Sequence, residues 1–349
     1  MNIPARIRRL RQWLGVFCFD WSRYREYILD DGHKWIQICN RNERLEAGPD
    51  GLGAMCLWQW STPLHAPSMM PSLGRQLMQR ALLDYPITMR PRPTDRGADA
   101  VPEVSFIIGH RGTERLPNLL ATLDSIAAQE GPAFECLVVE QADVPEIPDH
   151  LPSWVQYHFC QSQTKGALYN RSLAFNVGAR NAKGKLLVVH DNDMPVPTCY
   201  AKEMVARWNA GAKVINLKRF IFYLNERDSK AIMESRRICR GLIPDMVLQN
   251  LTGGGSLGVD SDWYFAVGGH DEGFVGWGGE DVEFWDRATS EGGLYGYAMM
   301  PIVHLWHRPQ PDKTGQKDSN AMRRLEAVSQ LPVAQRIENL RANQFPDIG

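Results

Sequence analysis

The sequence predicts an α/β fold built on a mainly parallel sheet, with helical appendages at both ends. Three observations carry that prediction. Short apolar, β-rich runs alternate with stretches of helical period between Val104 and Asp193. A polar, proline-interrupted stretch, "MRPRPTDRGADAVPE", separates that region from what precedes it. A chain of 349 residues, 44% hydrophobic and 23% charged, is long enough and apolar enough to bury a sizeable core.

Residues 1–88 form an N-terminal extension rich in tryptophan (Trp13, Trp21, Trp35, Trp58, Trp60), without a motif that attaches to chemistry. In residues 1–17, "MNIPARIRRLRQWLGVF", Ile3, Ile7, Leu10, Leu14 and Phe17 recur on one helical face, while Arg6, Arg8, Arg9 and Arg11 lie mostly off it. Two arrangements satisfy that pattern: a helix lying in an anionic membrane surface, or a terminal helix packed on the body with its arginines in water. Residues 89–103 read as a linker. In the core, residues 104–308, "VSFIIG" is a short buried strand. Leu116, Leu119, Leu120, Leu123 and Ile126 then follow at helical spacing, with Pro117 tolerable in a first turn. "CLVVE" is a second strand, "YNRSLAFNVGARNAKG" a helix closed by Gly184, and "KLLVVHDND" a third strand ending in acid. Strand, helix, strand, helix, strand implies parallel pairing with right-handed crossovers, so ligands should bind beyond Ile108, Val139 and Val189. Residues 309–349 read as a C-terminal helical tail.

The bulk numbers exclude some classes of function. A formal net charge of -1 gives no global attraction to nucleic acid. Seven scattered cysteines form no C-x-x-C pair, which favours a reducing compartment. No apolar run approaches the ~20 residues that cross a bilayer. The expectation is a cytoplasmic protein, with peripheral contact at the inner face of the cytoplasmic membrane if the first helix docks there.

The expected strand ends carry Gly109-His110-Arg111, Glu140-Gln141 and Asp191-Asn192-Asp193. Carboxylates one residue apart can reach one side and bind a hard divalent cation, although Asp-Asn-Asp also suits an ordinary polar turn. "PIVHLWHRP" sets His304 and His307 three apart after a β-like run, where one or both can complete a coordination sphere begun by Asp193. An oxygen-rich site with a histidine points to Mn2+ at least as much as to Mg2+. In "FVGWGGEDVEFWDR", Gly276, Gly278 and Gly279 permit a sharp turn, and Trp277 offers a flat apolar face beside Glu280 and Asp281 at a helix start. Two acids there complement the helix dipole, but that role does not explain the glycines or the tryptophan. A sugar ring held against an aromatic face, with a carboxylate to take a hydroxyl proton, explains all of them.

Taken in order, "YNRSLAFNVGA", "HDNDMPVP", "FVGWGGEDVEFWDR" and "HLWH" resemble the family 7 β-1,4-galactosyltransferases and the bacterial family 2 transferases that share their C-terminal signature, such as chondroitin polymerase modules. The resemblance spans Val104 to His307 and implies a GT-A type, Rossmann-like nucleotide-binding core. It implies that Arg111, Glu140, Arg171, Asp191 and Gly254 belong to the nucleotide-sugar site and that Asp193 is the principal metal carboxylate, with His304 or His307 beside it. Trp277 resembles the tryptophan of a mobile acceptor loop, Glu280 an acceptor-binding acid and Asp281 the catalytic base. Two departures stand out: Gly109 replaces the usual proline, and Glu140 stands where aspartate is common.

The implied function is a Mn2+- or Mg2+-dependent inverting transfer from a UDP-sugar donor to a saccharide or glycolipid acceptor, in bacterial surface polysaccharide or glycoconjugate synthesis. A sugar-nucleotide pyrophosphorylase would want a glycine-rich basic loop after the first strand, which "GHRGTERL" supplies only in part. A non-catalytic carbohydrate-binding derivative would have no use for an intact Asp193, Asp281 and His307.

Overall fold

The computed structural model describes residues 7, 10, 13–92, 101–162, 164–309 and 319–345. The N-terminal Ile3, Arg6, Arg8, Arg9 and Arg11, most of the expected linker and the start of the C-terminal tail lie outside them.

The N-terminal segment contributes α1 (Trp21–Leu29), an antiparallel hairpin of β1 (Arg44–Ala47) and β2 (Ala54–Trp58), then α2 (His65–Met69) and α3 (Pro71–Asp84). These elements share a hydrophobic core with the nucleotide-binding region expected from the sequence: Val16, Trp35 and Leu73 belong to the same buried cluster as Phe106, Val188 and Phe220. A buried arginine, Arg219, fastens the two parts by donating from its guanidinium to the carbonyls of Ile36 and Ile38. A charge removed from water is tolerated there because carbonyl lone pairs replace the lost hydration.

In the core, β3 (Val104–His110), α4 (Leu116–Ala127), β4 (Phe134–Ala142), β5 (Gln156–Gln161), α5 (Arg171–Asn181) and β6 (Leu186–His190) follow in order. Every residue of β4 and β6 is buried, as expected of parallel strands covered on both faces. β3 pairs in parallel with β4, Val104 opposite Phe134 through to His110 opposite Glu140. It also pairs in parallel with β6, Val104 opposite Leu186 through to Ile108 opposite His190. The chain thus builds outward from β3 to β4 and β5, then crosses back to lay β6 on the other side of β3. That reversal is the switch point at which open α/β sheets hold ligands. The three strands and two helices expected here are all present. The second helix, capped by the Asn170 side chain on the Leu173 N–H, stops at Asn181 rather than running to Gly184. Gly184 serves a different need: a Cβ there would lie 2.7 Å from Ser105 Oγ and 2.8 Å from its backbone nitrogen.

Beyond β6 come α6 (Tyr200–Asn209), β7 (Val214–Ile215), β8 (Lys218–Tyr223), α7 (Glu226–Ser235), β9 (Met246–Gln249), β10 (Ser256–Asp260) and α8 (Ser261–Ala266). Next are α9 (Glu280–Ala288), β11 (Leu294–Tyr295), β12 (Met300–His304), α10 (Asn320–Ser329) and α11 (Val333–Gln344). The main sheet has the order β11-β7-β10-β6-β3-β4-β5, with β10 antiparallel to both of its neighbours. A smaller sheet, β12-β8-β9, sets His304 opposite Tyr223. The seven cysteines are free thiols. Among the described residues no helix is long and apolar enough to cross a membrane.

Candidate active site

The turn after β6 is shaped by two neutral histidines. His190 donates from Nε2 to the Met194 carbonyl at 2.8 Å, drawing residues 191–194 into a tight loop. At the end of β3, His110 Nε2 donates to Gly112 O at 2.8 Å, and its Nδ1 accepts from the Asn192 amide at 2.9 Å. Burial lowers both imidazoles to about 4, so neither is charged near neutrality. Asn192 is thereby committed to the interior, and the acids on either side of it serve different partners.

Asp193 faces β12. Its Oδ2 lies 3.2 Å from His307 Nε2, its Oδ1 3.9 Å from His304 Nε2, and Arg115 Nη1 stands 3.9 Å from Oδ2. The main chain holds the pair in register, since Leu305 N donates to Asp193 O at 2.9 Å. Burial by itself would raise the Asp193 pKa, but His304, His307 and Arg115 hold it well below the usual carboxylate range. One donor atom from each of Asp193, His304 and His307 lies within 4.8 Å of the others. The donor set suits a divalent cation, and two orphaned buried atoms, Asp193 Oδ1 and His304 Nδ1, are polar groups that a bound ligand would satisfy. His307 Nδ1 donates to Arg308 O at 2.7 Å, which turns Nε2 toward Asp193. An imidazole lone pair facing a carboxylate needs a cation or a proton between them. His304 stacks on Tyr223 with ring centroids 4.0 Å apart, and burial favours its neutral form against the pull of Asp193.

Asp191 faces the other way. Its Oδ1 accepts from Arg171 Nη2, while Arg171 Nη1 reaches Glu280 Oε1 at 3.2 Å, so one guanidinium joins the turn after β6 to the start of α9. Burial raises the pKa of both acids, with Arg171 opposing it; Asp193 adds to the rise at Asp191 and Asp281 to that at Glu280. Glu280 Oε2 is buried without a hydrogen-bond partner. Beside it, Asp281 Oδ1 accepts from the Val282 N–H at 2.8 Å. Its Oδ2 packs on Gly254, where a Cβ would come within 2.5 Å; at Gly253 a Cβ would meet the Asp281 carbonyl at 2.3 Å. The run "TGGGS" is therefore a floor for the Asp281 carboxylate.

The glycines before α9 are required by backbone geometry: Gly276, Gly278 and Gly279 have φ of 88°, 105° and 92°, a region costly for any other residue. Trp277 is half-buried between them. Leu325 of α10 packs on Gly279, and Arg324 holds Asp271 through two hydrogen bonds of 2.6 and 2.8 Å. The C-terminal helices thus support this loop.

Two residues expected at the nucleotide-sugar site, Arg111 and Glu140, have protein partners. Arg111 donates to the Ala167 carbonyl. Glu140, fully buried, accepts from Tyr157 Oη at 2.6 Å and from the N–H groups of Glu146 and Ile147, which organises the loop after β4. Gly109 has a local reason, since any Cβ there would stand 2.2 Å from Tyr169 Oη. Sequence reasoning missed Lys218, a buried amine that donates to Asn216 Oδ1 at 2.8 Å, to Thr252 O at 3.1 Å and to Ser256 O. It pins both ends of the glycine floor, and burial lowers it to about 7. The only signal was a lysine inside the apolar run "VINLKRFIFY".

By sequence, residues 113–265 match the family described as Glycosyl transferase family 2, and residues 245–305 match that described as the N-terminal domain of galactosyltransferase. No curated protein matches the chain. Similar solved structures include TarS of S. aureus in complex with UDP, at 14% identity and a TM-score of 0.43, covering 70% of this chain and 74% of that one. GalNAc-T7 with UDP, GalNAc and Mn2+ aligns at 14% identity and a TM-score of 0.45, over 70% of this chain and 55% of that one. The mannosyltransferase PcManGT from Pyrobaculum calidifontis, in complex with GDP-Man and Mn2+, aligns at 17% identity and 0.41, over 78% and 81%.

Proposed function

We propose that the chain is a metal-dependent inverting glycosyltransferase using a UDP-sugar, because residues 113–265 match the family 2 glycosyltransferases and residues 245–305 a galactosyltransferase domain. The acceptor is a saccharide or glycolipid, and the setting is synthesis of a bacterial surface polysaccharide or glycoconjugate. One observation carries the reading: Arg171 bridges Asp191 and Glu280, so the proposed donor side and the proposed acceptor side meet at one charged hinge.

Asp193, with His304 and His307, would hold a Mn2+ or Mg2+ ion, which supplies positive charge where negative charge grows on the departing diphosphate. Arg171 holds the two acids in position. Trp277 gives the acceptor ring an apolar face, and Glu280 Oε2 offers an unsatisfied acceptor for one of its hydroxyl protons. Asp281 Oδ2 takes the proton of the attacking hydroxyl as that oxygen bonds to the anomeric carbon opposite UDP, and a single displacement inverts the configuration.

Asp281→Asn tests this. It keeps size and removes basicity, so transfer should fall by at least about 100-fold with UDP-sugar affinity near wild type. A panel of UDP-sugars, assayed for metal-dependent hydrolysis and transfer, identifies the donor. Near-wild-type transfer by Asp281→Asn would overturn the role of Asp281; no turnover of any UDP-sugar would overturn the reading as a whole.

A further inference from the structure

Residues 13–20 are arranged opposite to a helix packed on a protein body. In the stretch 13–20, the buried positions are Gly15, Val16 and Asp20, while Trp13, Leu14, Phe17 and Phe19 face outward, the two phenylalanines 63% and 67% exposed. Ile7 and Leu10, on the same apolar face as Leu14 and Phe17, are exposed as well. The body holds this segment by its small and polar side. Val16 enters the core, the Arg41 guanidinium lies directly against Gly15, and Asp20 pairs with Arg41 at 3.4 Å. Trp60, also exposed, meets His65 with ring centroids 5.3 Å apart, on the α2 helix that packs against Val16–Asp20. Isolated exposed apolar residues need no explanation, but six on one short segment do.

The geometry points to an anionic lipid surface as the occupant of this face. The charge is complementary: Arg6, Arg8, Arg9 and Arg11 lie in the same segment, and its first acid, Asp20, is buried and neutralised by Arg41. With four arginines among its apolar positions the stretch is suited to the headgroup region, with its phenylalanines and leucines among the acyl chains. None of these residues belongs to the proposed reaction centre, and the surface is tested without reference to activity. It would bring the enzyme to a lipid-linked acceptor.

The experiment is flotation of the full chain with vesicles of phosphatidylcholine alone or with added phosphatidylglycerol. Binding should require phosphatidylglycerol and fall as salt rises. Arg8→Gln combined with Arg9→Gln should weaken it by about 25-fold at low salt, since each basic residue near such a surface contributes about fivefold. Phe17→Ser combined with Phe19→Ser should weaken it by at least about tenfold. Equal binding to both vesicle types, or none to either, would overturn the inference. So would concentration-dependent self-association abolished by the phenylalanine pair, because a second copy of the chain would then cover this face.

Discussion

Glu280 and Glu283 sit one turn apart on α9, both buried, yet their surroundings are opposites. Glu283 is saturated: Arg287 binds it through both oxygens at 2.6 and 2.7 Å, and Arg336 of α11 adds a contact at 3.3 Å. Glu280 has one oxygen on Arg171 and the other unsatisfied. A polar group withdrawn from water costs stability unless its partners are supplied, so a saturated acid reads as structure and an orphaned one as a place for something absent. The same distinction separates Glu140, whose bonds close on its own loop, from Asp193, whose Oδ1 has no hydrogen-bond partner.

The largest expected effect comes from breaking the saturated side. Glu283→Ala leaves two buried guanidiniums without their acid and should cost about 3–5 kcal/mol in denaturant unfolding. A loss under about 1 kcal/mol would erase the contrast with Glu280.

Next are the two histidines behind the turn, whose pKa values fall from 6.5 to about 4 on folding. Between those values the unfolded chain binds more protons, so stability decreases as pH falls through that window and is unaffected by them above it. The loss approaches about 3 kcal/mol for each histidine by pH 4. Thermal melts from pH 7 to 4.5 should show the slope, and His190→Gln should flatten it.

On the unsaturated side, Asp193→Ala should abolish the strengthening of UDP binding by Mn2+, a loss of at least about tenfold by calorimetry with and without chelator. Equal UDP affinity with and without metal in the wild type would sink the metal assignment. The smallest expected effect is that of Glu280→Gln. Because burial already raises the pKa of this acid, its stability should stay within about 1 kcal/mol of wild type. Acceptor KM should rise several-fold, with kcat changed less. A large loss of stability would make Glu280 structural like Glu283.

Much of the core was legible because its signals are local. An apolar run flanked by turn residues defines a strand wherever it packs, which is why β3, β4, β6 and the helices after β3 and before β6 appear in the sequence. The strands β5, β7, β9 and β11 carry no such signal, being short or only half-apolar, and the sheet recruits them through backbone pairing. The N-terminal extension carries no motif that shows how Val16, Trp35 and Leu73 join the shared core, because packing specificity is not written in spacing. Gly184 and Gly109 were conspicuous as residues, but the reason for each lies in a neighbour distant in sequence, Ser105 and Tyr169.

For the candidate site, the sequence alone determined which groups are available: the paired acids after β6, the two histidines three apart, and the glycine, tryptophan and acid cluster ahead of α9. These depend only on covalent order and local backbone rules. Only the tertiary structure decided how they divide. It sent Asp193 to the histidines and Asp191 to Arg171, closed Glu140 on its own loop, laid Gly254 under Asp281 and placed Lys218 beneath that floor. The reason is physical: hydrogen bonds and charge pairs act over a few ångströms, and only the folded chain brings residues separated by up to about a hundred positions within that range.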